Sequence, residues 1–242
     1  MQRGDQPVVA TGLERIAVKA RQEPKLCFTS LAHHVTGDRV WRNLCKIPDK
    51  SAPGIDGQTV TDAKESFNEW IEPMLGSMFR KGYCAPVIRR VYIPKPGKRQ
   101  MRPLGVPCVK DRALQRSVAQ VLSAIYEQDF LRCSFGGRPG VGAHNALATL
   151  NEVIAGRKIS WVLEADLKNF FGSLDHRWML RFVEHRIGDP RLISLIRRWL
   201  KAGVLEDGEV HPNGEGALQG GLISLLLSNL YLHCVLYLWF VR

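Results

Sequence analysis

Apolar residues first recur at helical spacing at Leu13, Ile16, Ala17 and Ala20, so residues 1–45 are expected to be largely helical and amphipathic. Ser51-Ala-Pro-Gly-Ile-Asp-Gly57 is rich in turn formers, and a helical stretch follows through Phe79. The period then shortens. Val87-Ile-Arg-Arg-Val-Tyr-Ile93 has strand character, Pro94-Lys-Pro-Gly-Lys98 turns, and Met101 to Val106 returns, which predicts a hairpin. Asp111 is placed to cap the next helix, in which Leu114, Val118, Val121, Leu122 and Ile125 share one face. Phe135-Gly-Gly-Arg-Pro-Gly140 breaks that helix, and a shorter one is expected over His144 to Ile154.

The clearest strand pattern is Ser160-Trp-Val-Leu-Glu-Ala-Asp-Leu167. Trp161, Leu163, Ala165 and Leu167 would point one way, and Glu164 and Asp166 the other. Two carboxylates on one face at a strand end would make a metal-facing surface. Helices over Asp175 to Arg186 and Pro190 to Ala202 follow. The second has Asp189 as N-cap, Pro190 at its first position and Gly203 as its stop. Asp207-Gly208 predicts a hairpin turn leading toward Gly216–Gly221.

The run Leu222 to Val241 is about as long as a membrane-spanning helix requires. Ser224, Ser228, Asn229 and His233 interrupt it, and Asn229 and His233 lie on one helical face. A polar strip is costly against lipid and common against protein. A buried core helix with no membrane partner is therefore expected, with a tail anchor as the alternative.

Charge narrows the function. The chain carries 34 Lys+Arg against 23 Asp+Glu, a formal net of +11, which favours a polyanionic partner. The excess is concentrated at the hairpin, where Arg89, Arg90, Lys95, Lys98, Arg99, Arg102, Lys110, Arg112 and Arg116 face one acid, Asp111. A basic hairpin with fixed strands suits phosphate contact better than a flexible tail. Six scattered cysteines form no Cys-x-x-Cys pair, which indicates reduced thiols and neither a zinc knuckle nor a disulfide framework. Residues Met1 to Lys19 contain no secretory signal, so a cytoplasmic location is expected, bacterial rather than organellar.

Several segments occur in a telling order: Ala52-Pro-Gly-Ile-Asp-Gly57, Ile93-Pro-Lys-Pro-Gly, Arg102-Pro-Leu-Gly-Val-Pro107, Asp111-Arg112, Gln115 and Tyr126-Glu127. After them come Arg138-Pro139, Glu164-Ala-Asp-Leu-Lys-Asn-Phe-Phe171, Asp175-His176, Gln219-Gly220-Gly221, Ser224 and Asn229. As an ordered set covering nearly the whole chain, they resemble the reverse transcriptase–maturase of bacterial and organellar group II introns. The resemblance implies an α+β right-hand polymerase, with helices packed on small antiparallel sheets. Residues 1–80 would be a helical N-terminal extension, 81–158 the fingers and 159–242 a partial palm.

The implied activity is RNA-directed DNA synthesis, together with binding and splicing assistance to intron RNA. Its partners would be RNA, a DNA primer and deoxynucleotides, and its cofactor two magnesium ions. By the same resemblance Asp166 matches the first catalytic, metal-binding aspartate, and Phe171 the aromatic gate against a ribose 2′ hydroxyl. Lys95 and Arg102 match the cations that hold the triphosphate, and Gln219 and Gly220 the loop beneath the nucleotide. Arg89, Arg90, Lys98, Arg99, Arg112 and Arg138 would contact RNA. Glu164 suits the role of a strand neighbour, and His33, His34 and His176 suit polar-surface or helix-start roles.

The sequence also departs from the family. No Tyr-x-Asp-Asp motif occurs, so the chain alone is expected to be inactive as a polymerase, with an RNA-binding remnant as the alternative reading. Leu218 and Leu225 stand where prolines are usual, Gly137 where an aromatic is usual and Tyr237 where an acid is usual. Together these suggest a decaying copy of a mobile element, with a fragment of an intact protein as the rival account of the missing motif.

Overall fold

A computed structural model describes residues 12–94, 97, 101–216 and 221–241. Four helices open the chain: α1 (Gly12–Gln22), α2 (Gly37–Cys45), α3 (Val60–Glu65) and α4 (Phe67–Phe79). The expected helical region is thus two helices joined by an irregular linker. Ile16 and Ala20 are buried in α1, as the spacing predicts. Thr36 caps α2 by accepting from the Arg39 backbone N–H, and Thr59 and Asp62 form a reciprocal capping box on α3.

The hairpin forms as expected, with β1 (Ile88–Pro94) antiparallel to β2 (Met101–Val106) and Arg89 opposite Val106. Two further short strands, β3 (Val204–Glu206) and β4 (Glu209–His211), join it, giving the order β2-β1-β3-β4. β1 and β3 run parallel, so the sheet is mixed where an antiparallel one was expected. The β3–β4 turn is Asp207-Gly208, both with positive φ (50° and 86°), as a two-residue hairpin of this composition demands.

The centre of the molecule is α5 (Val109–Asp129), against which α1, α2 and α9 (Leu222–Leu232) pack. Val118, Val121, Leu122 and Ile125 are fully buried along it. Around this axis lie α6 (Ala143–Gly156), α7 (His176–Glu184) and α8 (Pro190–Leu200). Asp175 and Asp189 cap α7 and α8. One apolar core runs from Ile16 through Val118 to Leu230, so the three expected segments share it.

The N-terminal region is stapled to the loop between α7 and α8. Phe28 bridges Ile187, and the Arg186 guanidinium donates to the carbonyls of Ala20 and Glu23 while pairing with Asp129 at 3.0 Å. Asp189, 0% exposed, accepts from the backbone N–H groups of Leu31 and Ala32, both at 2.8 Å.

Two expectations need correction. Ser160–Leu167 is not a strand: Trp161 and Leu163 are 93% and 86% exposed, and no described strand pairs with them. Alternation marks the faces of a strand, but a strand is stable only beside a partner. Asp111 does not cap α5; Cys108 precedes the helix and Asp111 points into the core.

Within Ile223–Phe240, a stretch long and apolar enough to cross a membrane, the first half belongs to the core through Ile223, Leu226, Leu227 and Leu230. Its polar strip turns inward as expected. Ser224, Ser228, Asn229 and His233 are buried, and Asn229 donates to the Gly136 carbonyl at 2.7 Å. A π-helical turn (His233–Tyr237) follows, and Trp239, Phe240 and Val241 are exposed.

Candidate nucleic-acid and nucleotide site

The hairpin is anchored at its base. Arg89 donates to the Pro53 carbonyl at 2.6 Å and Arg112 to the Ala52 carbonyl at 2.7 Å. The turn they hold presses on the start of α5, where a Cβ on Gly54 would lie 2.5 Å from the Cys108 Cα. Glycine is required there by contact, and the two arginines explain why a turn-rich segment sits upstream of a basic hairpin. Arg90 pairs with Glu206 of β3 at 3.5 Å. Arg102 on β2 is exposed with its side chain open to solvent. Lys95, Lys98 and Arg99 lie outside the described residues.

Beneath the hairpin lies a polar network that sequence reasoning missed. The Asp111 carboxylate accepts from the Tyr83 hydroxyl at 2.5 Å, Trp199 Nε1 at 2.8 Å and Gln115 Nε2 at 2.7 Å. All four residues are buried. Burial raises the Asp111 carboxyl above its ordinary range, against the pull of these three donors. Burial and the adjacent carboxylate push the Tyr83 phenol up as well.

With its amide nitrogen committed to Asp111, Gln115 turns its Oε1 toward Gly221, where a Cβ would lie 3.1 Å away. That oxygen has no hydrogen-bond partner within the chain. It borders a cavity of about 20 Å³ shared with Gly105 and Pro107 of the hairpin side and with Ser224 of α9.

The segment leading to Gln219 is held from the other side. Gly216, at φ 85°, sits so close to the turn Phe170–Ser173 that a Cβ would lie 2.8 Å from the Phe171 carbonyl oxygen. Its N–H donates to Leu174 O at 2.8 Å, and His176 Nε2 lies 2.6 Å from its carbonyl. His176, assigned a helix-start role from sequence, also holds this segment. Gln219 and Gly220 themselves lie outside the described residues. The structure thus brings the Phe171 turn, the hairpin base and the two flanks of Gln219-Gly220 into one region.

Asp166 is exposed in the irregular stretch before that turn, and Glu164 is exposed two residues earlier. Among the described residues no group of three His, Cys, Asp or Glu side chains could hold a metal ion. Magnesium needs several oxygen ligands at fixed geometry, so the described residues do not themselves complete the two-ion site expected from Asp166. Arg138, expected to contact RNA, donates its guanidinium to Glu127, Leu131 O and Ser134 O and lies 5.2 Å over the Phe130 ring, so most of its donors clamp its own loop.

Two departures from the family pattern meet in space. A Cβ on Gly137, at φ 63°, would lie 2.5 Å from Leu225 Cγ. Leu225 occupies the volume into which a side chain at 137 would project, so each substitution accommodates the other.

The helix-rich fold with its small mixed sheet, and the clustering of these motifs around α5, are those of the fingers and palm of a reverse transcriptase. The reverse transcriptase (RNA-dependent DNA polymerase) family matches residues 93–240, and the chain belongs to that family. The relatives it resembles include a group II intron-encoded protein. The group II intron-encoded protein LtrA of Lactococcus lactis subsp. cremoris is 33% identical over 226 residues, covering 91% of this chain and 37% of that protein. YkfC of Escherichia coli (strain K12) is 30% identical over 233 residues, covering 93% of this chain and 61% of the relative. The chain therefore spans less than two thirds of these relatives' lengths. A partial Cas6-RT-Cas1–Cas2 complex shares the fold, with a TM-score of 0.54 and 22% identity over 86% of this chain and 34% of that one.

Proposed function

We propose that this chain supplies the nucleotide- and nucleic-acid-binding fingers and the first part of the palm of a group II intron reverse transcriptase, acting on RNA template, DNA primer and deoxynucleotides. The observation that carries this reading is how the two described flanks of Gln219-Gly220, Gly216 and Gly221, are packed. The Phe171 turn holds one flank through Gly216, and Gln115 and the hairpin base border the other. Preorganised groups of this kind contribute by position, before any bond is made or broken.

In this reading the chain's own residues perform distinct tasks. Arg102, with Lys95, neutralises the triphosphate; Arg89, Arg90, Lys98, Arg99 and Arg112 face RNA phosphates with the donors not already spent on the protein. Phe171 sets the space beside the sugar. Asp166 is a single carboxylate toward the divalent ions that reverse transcriptases generally use, whose chemistry when bound is activation of the primer hydroxyl. Because its sequence holds no Tyr-x-Asp-Asp motif, the 242-residue polypeptide is read as binding nucleic acid without extending primers on its own. The same surface would serve intron RNA during splicing, in a bacterial cytoplasm.

The test is equilibrium binding of an RNA–DNA primer–template, with primer extension assayed in magnesium. Tight, salt-sensitive binding without extension is expected. Extension by the purified chain overturns the inactivity, and failure to bind overturns the assignment of the basic hairpin.

A further inference from the structure

Upstream of the matched region, α2 and the α3–α4 junction enclose a surface pocket of about 350 Å³ lined by Asp38, Trp41, Lys64, Phe67 and Asn68. Its platform is aromatic and fixed. Trp41 is 37% exposed, although its residue type usually seeks cover. Phe67 meets it edge-on at 4.9 Å between centroids, and Trp70 meets Phe67 edge-on at 5.0 Å. Trp70 in turn donates its indole N–H to the Ala63 carbonyl at 2.9 Å, so the row of rings is tied into the core.

The rim is polar and of mixed sign. Asp38 shares its carboxylate with Arg42 on the exposed face of α2, and Lys64 pairs with Asp49 at 2.6 Å. The exposed Asn68 offers both a donor and an acceptor.

A rigid aromatic platform with acceptors and donors at its edge is matched to a flat ligand that has a π face and polar edges. An aliphatic side chain would leave the carboxylate and amide of the rim unused. A phosphate alone would make no use of the rings and would be repelled by Asp38. We propose that this pocket stacks one base of single-stranded RNA on Trp41, with Asp38 and Asn68 reading its edge. A carboxylate accepts from the exocyclic amine of adenine, whereas the N–H of uracil lies between two carbonyl oxygens that repel it, so adenine-containing strands are preferred. The chain's net charge of +11 brings the strand to the surface, and Trp41 holds one base there. The inference rests on the proposed RNA binding but adds a contact distant in sequence from the hairpin.

The experiment compares wild type, Trp41→Leu and Trp41→Phe for binding to fluorescein-labelled seven-nucleotide oligo(A) and oligo(U) across a salt series. Trp41→Leu keeps apolar bulk without a ring, and the phenylalanine variant restores a smaller one. The expected result is about a tenfold loss of oligo(A) affinity for Trp41→Leu, with partial recovery in Trp41→Phe. The slope of log Kd against log salt should be that of wild type, because stacking releases no counterions. Equal affinities in wild type and Trp41→Leu overturn the proposal and leave the pocket to a protein segment. A loss accompanied by a shallower slope overturns it too, since phosphate contacts would then have gone. If wild type binds neither oligonucleotide, the RNA-binding reading itself has failed.

Discussion

Replacing Asp189 by Asn should unfasten the N-terminal region from the start of α8. The carboxylate is fully buried and receives the N–H groups of Leu31, Ala32 and Arg191, together with two donors of the Arg191 guanidinium at 2.9 and 2.8 Å. Burial by itself would raise the carboxyl; these hydrogen bonds outweigh it and hold the pKa at about 2, against an ordinary 3.8. At about 1.4 kcal/mol per unit, the depression is worth on the order of 2 kcal/mol. Asn adds the cost of turning an N–H₂ toward buried donors, so the total loss should be about 2–4 kcal/mol.

The sign follows from the lowered folded-state pKa. The stabilisation is complete above the unfolded value near 4 and is lost as pH falls through about 2. Urea unfolding followed by tryptophan fluorescence, on wild type and Asp189→Asn, gives the difference at each pH. A gap of about 2–4 kcal/mol at pH 6 that narrows steadily below pH 4 is expected. A gap that is negligible at pH 6, or constant down to pH 2, would refute the reasoning.

Asp111→Ala leaves the donors of Tyr83, Trp199 and Gln115 buried without an acceptor, and should cost about 3 kcal/mol in the same unfolding assay; a loss below 1 kcal/mol would contradict the network. Gly137→Phe should be destabilising by about 1–3 kcal/mol through overlap with Leu225 and strain at positive φ. Adding Leu225→Ala should restore part of that loss, and additivity of the two changes would show that the residues are not coupled. Arg138→Lys should lower stability by about 1–2 kcal/mol, because an ammonium cannot serve Glu127 and two carbonyls as the fork does. Its effect on the salt dependence of RNA binding should be nil, whereas a reduced slope would return Arg138 to the RNA interface.

What the sequence made legible was local. Asp189 caps a helix within two residues of itself, and Asp207-Gly208 has the backbone freedom its turn requires. The hairpin was legible because both of its strands lie within 19 residues, from Ile88 to Val106. Ser160–Leu167 was misread for the opposite reason: its alternation is real, but pairing is a property of two segments. Asp111 looked like a cap because its ligands, Tyr83 and Trp199, are remote in sequence. Arg89 and Arg112 read as phosphate ligands from charge alone, while part of each guanidinium is spent on the carbonyls of Pro53 and Ala52. Charge shows that a partner is anionic, not which arginine is free to meet it.

The central claim, that this reverse transcriptase chain engages nucleic acid through its basic hairpin, is tested most directly by the salt dependence of primer–template binding in wild type and Arg102→Glu. A steep fall of affinity with salt is expected, with the slope reduced by about one in the variant. Weak binding that ignores salt, or a slope that Arg102→Glu leaves untouched, would contradict it.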